Sequence, residues 1–308
     1  MRLLLVYQKI VLILIQLQGG LGNQMFQFAA ARALAENNNC ALLLDLSYLE
    51  QTGTQIRDGF TNRHYELGIF KNIAQDFVPD FKLKQFIMAS QKKQWLKQLG
   101  FSYPKIYHEP SFEFNENLLQ QKPPVLLKGY LQSEKYFIKE SASIRNAFSF
   151  PALVATDESI SVLSAISTGC SVSVHVRRGD YLHPAIAAQH GTCSVEYYRQ
   201  AIEKIRTAFP AAVFYFFTDD ASWVQNEFID KIPGSVLVKN NTGANSWKDM
   251  YLMSKCSHHI IANSSFSWWG AWLNDEPGKI VIAPKTWFAD KKRNEATADL
   301  IPANWSRL

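Results

Sequence analysis

The sequence predicts an α/β protein built from two doubly wound parallel sheets that join near residue 150. Three observations carry that prediction. An apolar run, a glycine turn, an alanine-rich helical pattern and a second apolar run open the chain, which together make a strand–helix–strand unit. From residue 171 to about residue 283, short apolar runs again alternate with helical periods. With 308 residues, of which 47% are hydrophobic, the chain is long enough for two domains with cores of their own.

The elements follow in order. "VLILIQLQ" is a strand from about Ile10 to Leu17, and its unbroken apolar character suits burial on both faces. It stops at Gly19 and Gly20. "NQMFQFAAARALAENN" reads as a helix whose small side chains allow close packing on a sheet, and "CALLLDL" as the second strand. Residues 51–149 mix short helical periods with aromatics expected to be exposed: Trp95, Phe101, Tyr103, Tyr107, Phe112 and Phe114. Pro123-Pro124 then precedes "VLLKGYLQSEKYF", a strand, a turn and the start of a helix. After "FPALVATDES", strands are expected at 171–176, 213–217, 235–239, 258–262 and 279–283, and helices at 195–208, 221–230, 246–256 and 266–274. Both halves are Rossmann-like. In such sheets ligands bind beyond the carboxyl ends of the strands, so those loops carry the chemistry.

Composition removes several function classes. The formal net charge is +5 with the two signs intermixed, unlike the basic stripe of a nucleic-acid binder. The densest basic runs, Lys92–Lys97 and Lys291–Arg293, read as solvated faces. Cys40, Cys170, Cys193 and Cys256 are too far apart for a zinc motif and too few for a disulfide scaffold, which suits a reducing compartment. His258 and His259 point to opposite faces of a strand and cannot easily share a metal. The apolar start "RLLLVYQKIVLILIQLQ" is interrupted by Gln8 and Lys9 and lacks a small-residue cleavage site. It also falls short of the ~20 apolar residues that span a membrane. A cytoplasmic protein is expected, with a lead-in free to touch the inner membrane peripherally.

Four strand ends hold candidate site residues. "LQGGLGNQMFQ" places Gly20 and Gly22 at a strand-to-helix turn, where backbone can approach a ligand and the helix offers free N–H groups. With Asp45 further on it resembles a dinucleotide fingerprint, but Met25 occupies the third glycine position, so a purely structural turn is an equal reading. "HVRRGDY" ends a buried strand in Arg177 and Arg178, whose guanidinium forks suit phosphate. Asp180 can orient one of them, and the alternative is a salt bridge between loops. A single aspartate does not neutralise two arginines beside a histidine, which favours a bound anion. "FFTDD" offers Asp219 and Asp220 as helix caps, as acceptors for a nucleoside, or as ligands of a divalent metal beside a diphosphate. "HHIIANSSFSWWGAWL" sets Asn263, Ser264 and Ser265 at a helix entry as an anion cradle, with Trp268, Trp269 and Trp272 as core. Arginines, hydroxyls, N–H groups and carboxylates at strand ends describe a site for a nucleoside diphosphate carrying a further group.

The blocks "GGLGNQMFQ", "GYLQSEKYF", "HVRRGDY", "FFTDD" and "HHIIANSSFSWWGAWL" closely resemble glycosyltransferase family eleven, the bacterial and animal α-1,2-fucosyltransferases. They occur in the family's order from about Leu17 to Trp272. The likeness is to the bacterial members, which lack the animal enzymes' membrane anchor. It implies a GT-B-like fold, with an acceptor-side Rossmann-like domain in residues 1–150. A GDP-fucose-binding domain would occupy residues 151–308, its last helix able to pack back on the first domain. It implies GDP-L-fucose as donor, a β-galactoside glycan as acceptor, inverting transfer to the galactose 2-hydroxyl, and no metal or other cofactor. Arg177 would hold the diphosphate as GDP leaves and Arg178 would support it. His175 and one of Asp219 and Asp220 would place the guanosine. Ser264, Ser265 and Ser267 would lie at the diphosphate, with Gly22 and Asn23 approaching across a cleft. The general base is unassigned, with Asp180 and His183 near in sequence. Leu131 stands where the family more often has an aromatic. The competing readings are a metal-dependent glycosyltransferase using Asp219 and Asp220, and a non-catalytic sugar- or nucleotide-binding module using the aromatics of residues 95–114.

Overall fold

The computed structural model describes residues 12–53, 62–92, 103–154, 158–239 and 241–308. Most of the N-terminal lead-in, Trp95, Phe101 and the basic run beyond Lys92 lie outside the described residues. The described residues divide into two compact units, with a boundary between Ser149 and Phe150.

The first unit holds four parallel strands: β1 (Leu12–Gln16), β2 (Ala41–Asp45), β3 (Lys105–His108) and β4 (Val125–Lys128), in the order β2-β1-β4-β3. Helix α1 (Leu21–Asn37) follows β1 and is buried on nearly every side, from Met25 and Phe26 through Ala29, Ala30 and Ala31 to Leu34. Its alanines help: between bulky anchors such as Met25, Phe26, Phe28 and Leu34, small side chains at 29–31, 33 and 35 let the backbone approach its neighbours. It ends because Asn39 turns left-handed at φ 49°. Asn39 N–H then donates to Glu36 O at 3.0 Å and Cys40 N–H to Ala35 O at 3.0 Å, the paired bonds of a Schellman cap. Among the described residues the unit also holds helices α2 (Ser47–Gly53), α3 (Asp80–Lys92) and α4 (Ser141–Ala147). Leu83 of α3 packs on Leu14 and Leu126 of the sheet.

The described part of the middle region holds a strand that the sequence pattern does not mark. β3 is a four-residue edge strand, too short to carry an alternating pattern. Tyr103, Tyr107, Phe112 and Phe114, expected to be exposed, are half-buried. Phe112 stacks on Tyr130 at 5.9 Å, and Phe114 packs against Tyr136 at 4.9 Å.

The second unit, Phe150–Leu308, holds six parallel strands: β5 (Ser171–Val176), β6 (Val213–Thr218), β7 (Ser235–Leu237), β8 (His258–Ile260), β9 (Val281–Ala283) and β10 (Ser306–Arg307). Their order is β10-β9-β8-β5-β6-β7, so the winding reverses between β5 and β8. That reversal is the topological switch point at which doubly wound sheets bind ligands. The helices are α5 (Ser159–Ile166), α6 (Pro184–Ala187), α7 (Val195–Ala208), α8 (Ala221–Val224), α9 (Trp247–Ser254), α10 (Ser265–Leu273) and α11 (Lys291–Glu295). The helix expected at 221–230 exists, but it widens into a π-helical turn at Gln225–Ile229. The chain ends in β10, which pairs with β9 in its own sheet.

β5 is buried at all six positions. Val172, Val174 and Val176 pack with Ile202 and Ile205 of α7 and with Phe214 and Phe216 of β6. Its other face carries serines and a histidine, so their polar atoms need partners inside. Ser173 Oγ lies 2.8 Å from Nδ1 of the fully buried His259, whose Nε2 receives Asn274 Nδ2 at 2.9 Å. Because Asn274 donates, His259 is neutral with its proton on Nδ1, facing Ser173. Trp268, Trp269 and Trp272 are core as expected, and Trp268 Nε1 donates to Leu300 O at 2.9 Å. Among the described residues, no helix is long and apolar enough to cross a membrane.

Candidate active site

The predicted site residues fall in both units. In the second unit they gather around the switch point. β5 hands the chain to Arg177 and Arg178, β6 to Asp219 and Asp220, and β8 to Asn263, Ser264 and Ser265. The first and third loops touch: Tyr181 Oη donates to Asn263 O at 3.4 Å, and the His175 ring lies 5.7 Å from Phe266.

The arginines are held by carboxylates. Arg177 Nη2 is 2.7 Å from Asp180 Oδ1, and Arg177 Nη1 is 2.9 Å from Asp219 Oδ2. Burial opposes its charge, but Asp219 and Asp180 outweigh burial and raise its pKa above the ordinary range. Arg178 Nε donates to Asp220 Oδ2 at 3.1 Å, and its guanidinium lies 4.0 Å from the centre of the Trp223 ring. Asp219 Oδ1 also accepts the backbone N–H groups of Arg178 (2.8 Å) and Gly179 (3.1 Å). A side chain at residue 179 would collide with this arrangement, since a Cβ there would lie 2.8 Å from Asp219 Oδ2. Asp220 caps α8 by accepting Trp223 N–H at 3.2 Å. The expectation that a single aspartate faces the two arginines, which favoured a bound anion over a salt bridge between loops, is therefore corrected: Asp180, Asp219 and Asp220 all pair with them, and the salt bridge between loops is present. Asp219 and Asp220 arrive from β6 because β5 and β6 are neighbours in register, with Val176 opposite Thr218.

His175 is 6% exposed, and burial lowers its pKa to about 4 against the opposing pull of Asp219. It is therefore neutral at neutral pH. Its Nδ1 is buried without a hydrogen-bond partner among the described residues.

The third loop divides into scaffold and site. Asn263, expected in the anion cradle, is 2% exposed and works as scaffold. Its Nδ2 donates to the carbonyls of His190 (3.0 Å), Gly191 (3.1 Å) and Trp287 (3.1 Å). Ser267, also expected there, is 1% exposed and donates to Ser264 O at 3.3 Å. Ser264 caps α10, its Oγ accepting Phe266 N–H at 3.3 Å, and Ser265 is half-buried beside it. Of the residues expected in the cradle, Ser264 and Ser265 are the two that stand at the helix N-terminus.

In the first unit, Gly20, Gly22 and Asn23 lie at the β1–α1 turn. Gly19 takes φ 75°, and Gly20 opens the helix in an extended conformation. The N–H of Leu21, where a dinucleotide diphosphate would bind, already meets the carboxylate of Glu66. Gln24 fastens the turn: its Nε2 donates to Gly19 O (2.8 Å) and His64 O (2.7 Å), and its Oε1 accepts Glu66 N–H (2.9 Å). Asn23 Oδ1 accepts Gln132 Nε2 at 2.8 Å, joining the ends of β1 and β4. Glu109, which no sequence pattern marks, receives the N–H groups of Tyr130 (2.7 Å) and Leu131 (3.0 Å). Burial raises its pKa to about 7, while those two N–H groups pull it down. Gly129 and Leu131 have positive φ angles of 157° and 54°, so Glu109 clasps an otherwise unfavourable loop.

The family model for Glycosyl transferase family 11 matches residues 119–308. An α-1,2-colitosyltransferase from Escherichia coli is 33% identical over 96% of this chain and 99% of its own. The O-antigen biosynthesis glycosyltransferase WbnK, from the same organism, is 32% identical over 92% and 97%. A galactoside α-(1,2)-fucosyltransferase 1 from Leontocebus fuscicollis is 32% identical over 49% of this chain and 43% of its own. Among solved structures, Arabidopsis thaliana FUT1 in complex with GDP aligns with a TM-score of 0.50 at 12% identity, covering 90% of this chain and 71% of that one. That likeness speaks to fold alone, and it agrees with two Rossmann-like units of the GT-B kind. The chain belongs to glycosyl transferase family 11.

Proposed function

We propose that the chain transfers L-fucose from GDP-L-fucose to the 2-hydroxyl of a terminal galactose in a glycan, with inversion at the transferred carbon. The observation that carries this reading is the braced arginine pair at the switch point of the second sheet, beside the N-terminus of α10. The names of the relatives, α-1,2 transferases of fucose and of colitose, support the linkage.

The reaction breaks the bond between sugar C1 and the β-phosphate oxygen. The acceptor O2 bonds to C1 from the opposite face, and its proton passes to water, a weak base that suffices for a loose transition state. Negative charge grows on the departing diphosphate, and one preorganised donor aimed at such charge is worth about 3 kcal/mol. Arg177 has five N–H donors and gives one to each aspartate, so donors remain for phosphate. Asp180 and Asp219 fix its plane, so the fork is set before the donor arrives. Ser264, Ser265 and the first N–H groups of α10 add to the cradle. His175, neutral and with an unpartnered Nδ1, is suited to a hydrogen bond with the guanine. The reading needs no metal, because Asp219 and Asp220 already spend their oxygens on Arg177, Arg178 and backbone N–H groups.

The test is GDP release from GDP-L-fucose with a β-galactoside, in the presence of EDTA. Tight GDP binding without transfer to any galactoside would favour a binding module, and activity restored only by manganese would favour the metal-dependent reading. A second donor is favoured by one observation, the near full-length match to a colitosyltransferase. Colitose lacks one ring hydroxyl of fucose, and a site built to hydrogen-bond a hydroxyl rejects the analogue lacking it by about 10⁴-fold or more. Comparing kcat/KM for the two GDP sugars decides between them.

A further inference from the structure

Helix α3 is apolar on two faces, and the core uses only one. Leu83 is buried, and Phe86 and Ile87 pack with it against the first sheet. On the opposite side Phe81 is 59% exposed and Met88 53% exposed. These two residues are seven positions apart and so lie in line, two turns apart, with Lys84 between them. Lys82 and Lys84 are exposed, and neither has a carboxylate partner among the described residues. The sequence around them is one-sided: residues 81–108 contain six lysines and no aspartate or glutamate. Asp80 is the single acid on the helix and sits at its first turn.

We propose that the outer face of α3 is a docking surface for an anionic lipid bilayer. Alternating large apolar and lysine side chains is the pattern of a helix that lies in a membrane interface, rings and thioether toward the acyl boundary and ammonium groups at the phosphates. Charge decides the occupant. A second copy meeting this face symmetrically would set Lys84 and its neighbours against their own kind, whereas an anionic surface neutralises them. This surface is distinct from the lead-in sequence, and it does not depend on which sugar the enzyme transfers.

The experiment is co-sedimentation of the full chain with vesicles of phosphatidylglycerol mixed with phosphatidylcholine, and with pure phosphatidylcholine. The wild type is expected to bind the first, to ignore the second, and to be released by salt. Phe81→Ser/Met88→Ser and Lys82→Gln/Lys84→Gln are each expected to weaken partitioning on the order of tenfold. Both pairs should leave the melting temperature and GDP release with a water-soluble galactoside unchanged. Wild-type protein that stays in the supernatant overturns the proposal. So do variants that bind as well as wild type, which would place the contact elsewhere. A dimer in solution that either pair of substitutions dissociates would make a second copy the occupant instead.

Discussion

At the scale of single residues, the paired arginines of "HVRRGDY" differ in what holds them. Arg177 bridges Asp180 and Asp219, whereas Arg178 is fixed by Asp220 and the face of Trp223. Lysine cannot make the Arg177 bridge and present a fork at once. Arg177→Lys is therefore expected to lose about a hundredfold or more in kcat/KM, as when one transition-state donor is removed. A near-normal rate would remove the fork from the account. Asp180 is a brace, because its carboxylate faces Arg177 at 2.7 Å. Asp180→Asn should cost on the order of tenfold and leave the pH–rate profile in place. Loss of the acidic limb of that profile, with a fall of about 10³-fold, would instead mark it as the general base. The identity of the arginines was readable in the sequence. Their partners Asp219 and Asp220 were also marked as functional, but pairing them with the arginines required knowing that β5 and β6 are neighbours.

Elements were legible where the sequence repeats a pattern over several turns. Helix α7 was expected at 195–208 and spans Val195–Ala208, with Ser194 accepting Tyr197 N–H at 3.1 Å as its cap. β5 was likewise read from alternating valines. β3 was missed because four residues carry no periodicity, and the Glu109 clasp because a lone buried carboxylate has no sequence signature. The small elements still make sharp predictions. Asn39 ends α1 in the left-handed region, so Asn39→Ala should lower stability by about 1 kcal/mol and Asn39→Gly by less. Denaturant midpoints measure both, and equal losses would argue against the cap. Asn263→Ala leaves the carbonyls of His190, Gly191 and the buried Trp287 without their donor and should cost about 1–3 kcal/mol. The melting temperature should therefore fall even with GDP present, and an unchanged melting temperature would deny Asn263 its scaffold role.

For the whole molecule, two Rossmann-like units were foreseeable from the return of the strand–helix alternation after residue 171. The switch point was not, since strand order depends on which helices cross which face. The buried titratable groups set the response to acid. Burial lowers the pKa of His175 to about 4 and also lowers those of His190, His258 and His259. Unfolding lets these rings take up protons once the pH is below about 6.5, so their contribution is full above that pH and is lost on acidification. Glu109 and Asp249, raised to about 7, act in the opposite direction, losing their contribution as pH rises from the ordinary carboxylate range. Burial raises the Glu66 carboxyl as well, so four histidines oppose three carboxyl groups, and the urea midpoint should fall from pH 7 to pH 5; a rising midpoint would show that the carboxyl groups dominate. The central claim, that the braced arginines at the switch point serve GDP-fucose transfer, is tested most directly by NMR of the product formed from GDP-L-fucose and a β-galactoside array in EDTA. The account predicts an α-fucosyl group on galactose O2. A product fucosylated at another position, or no product with any galactoside, would contradict it.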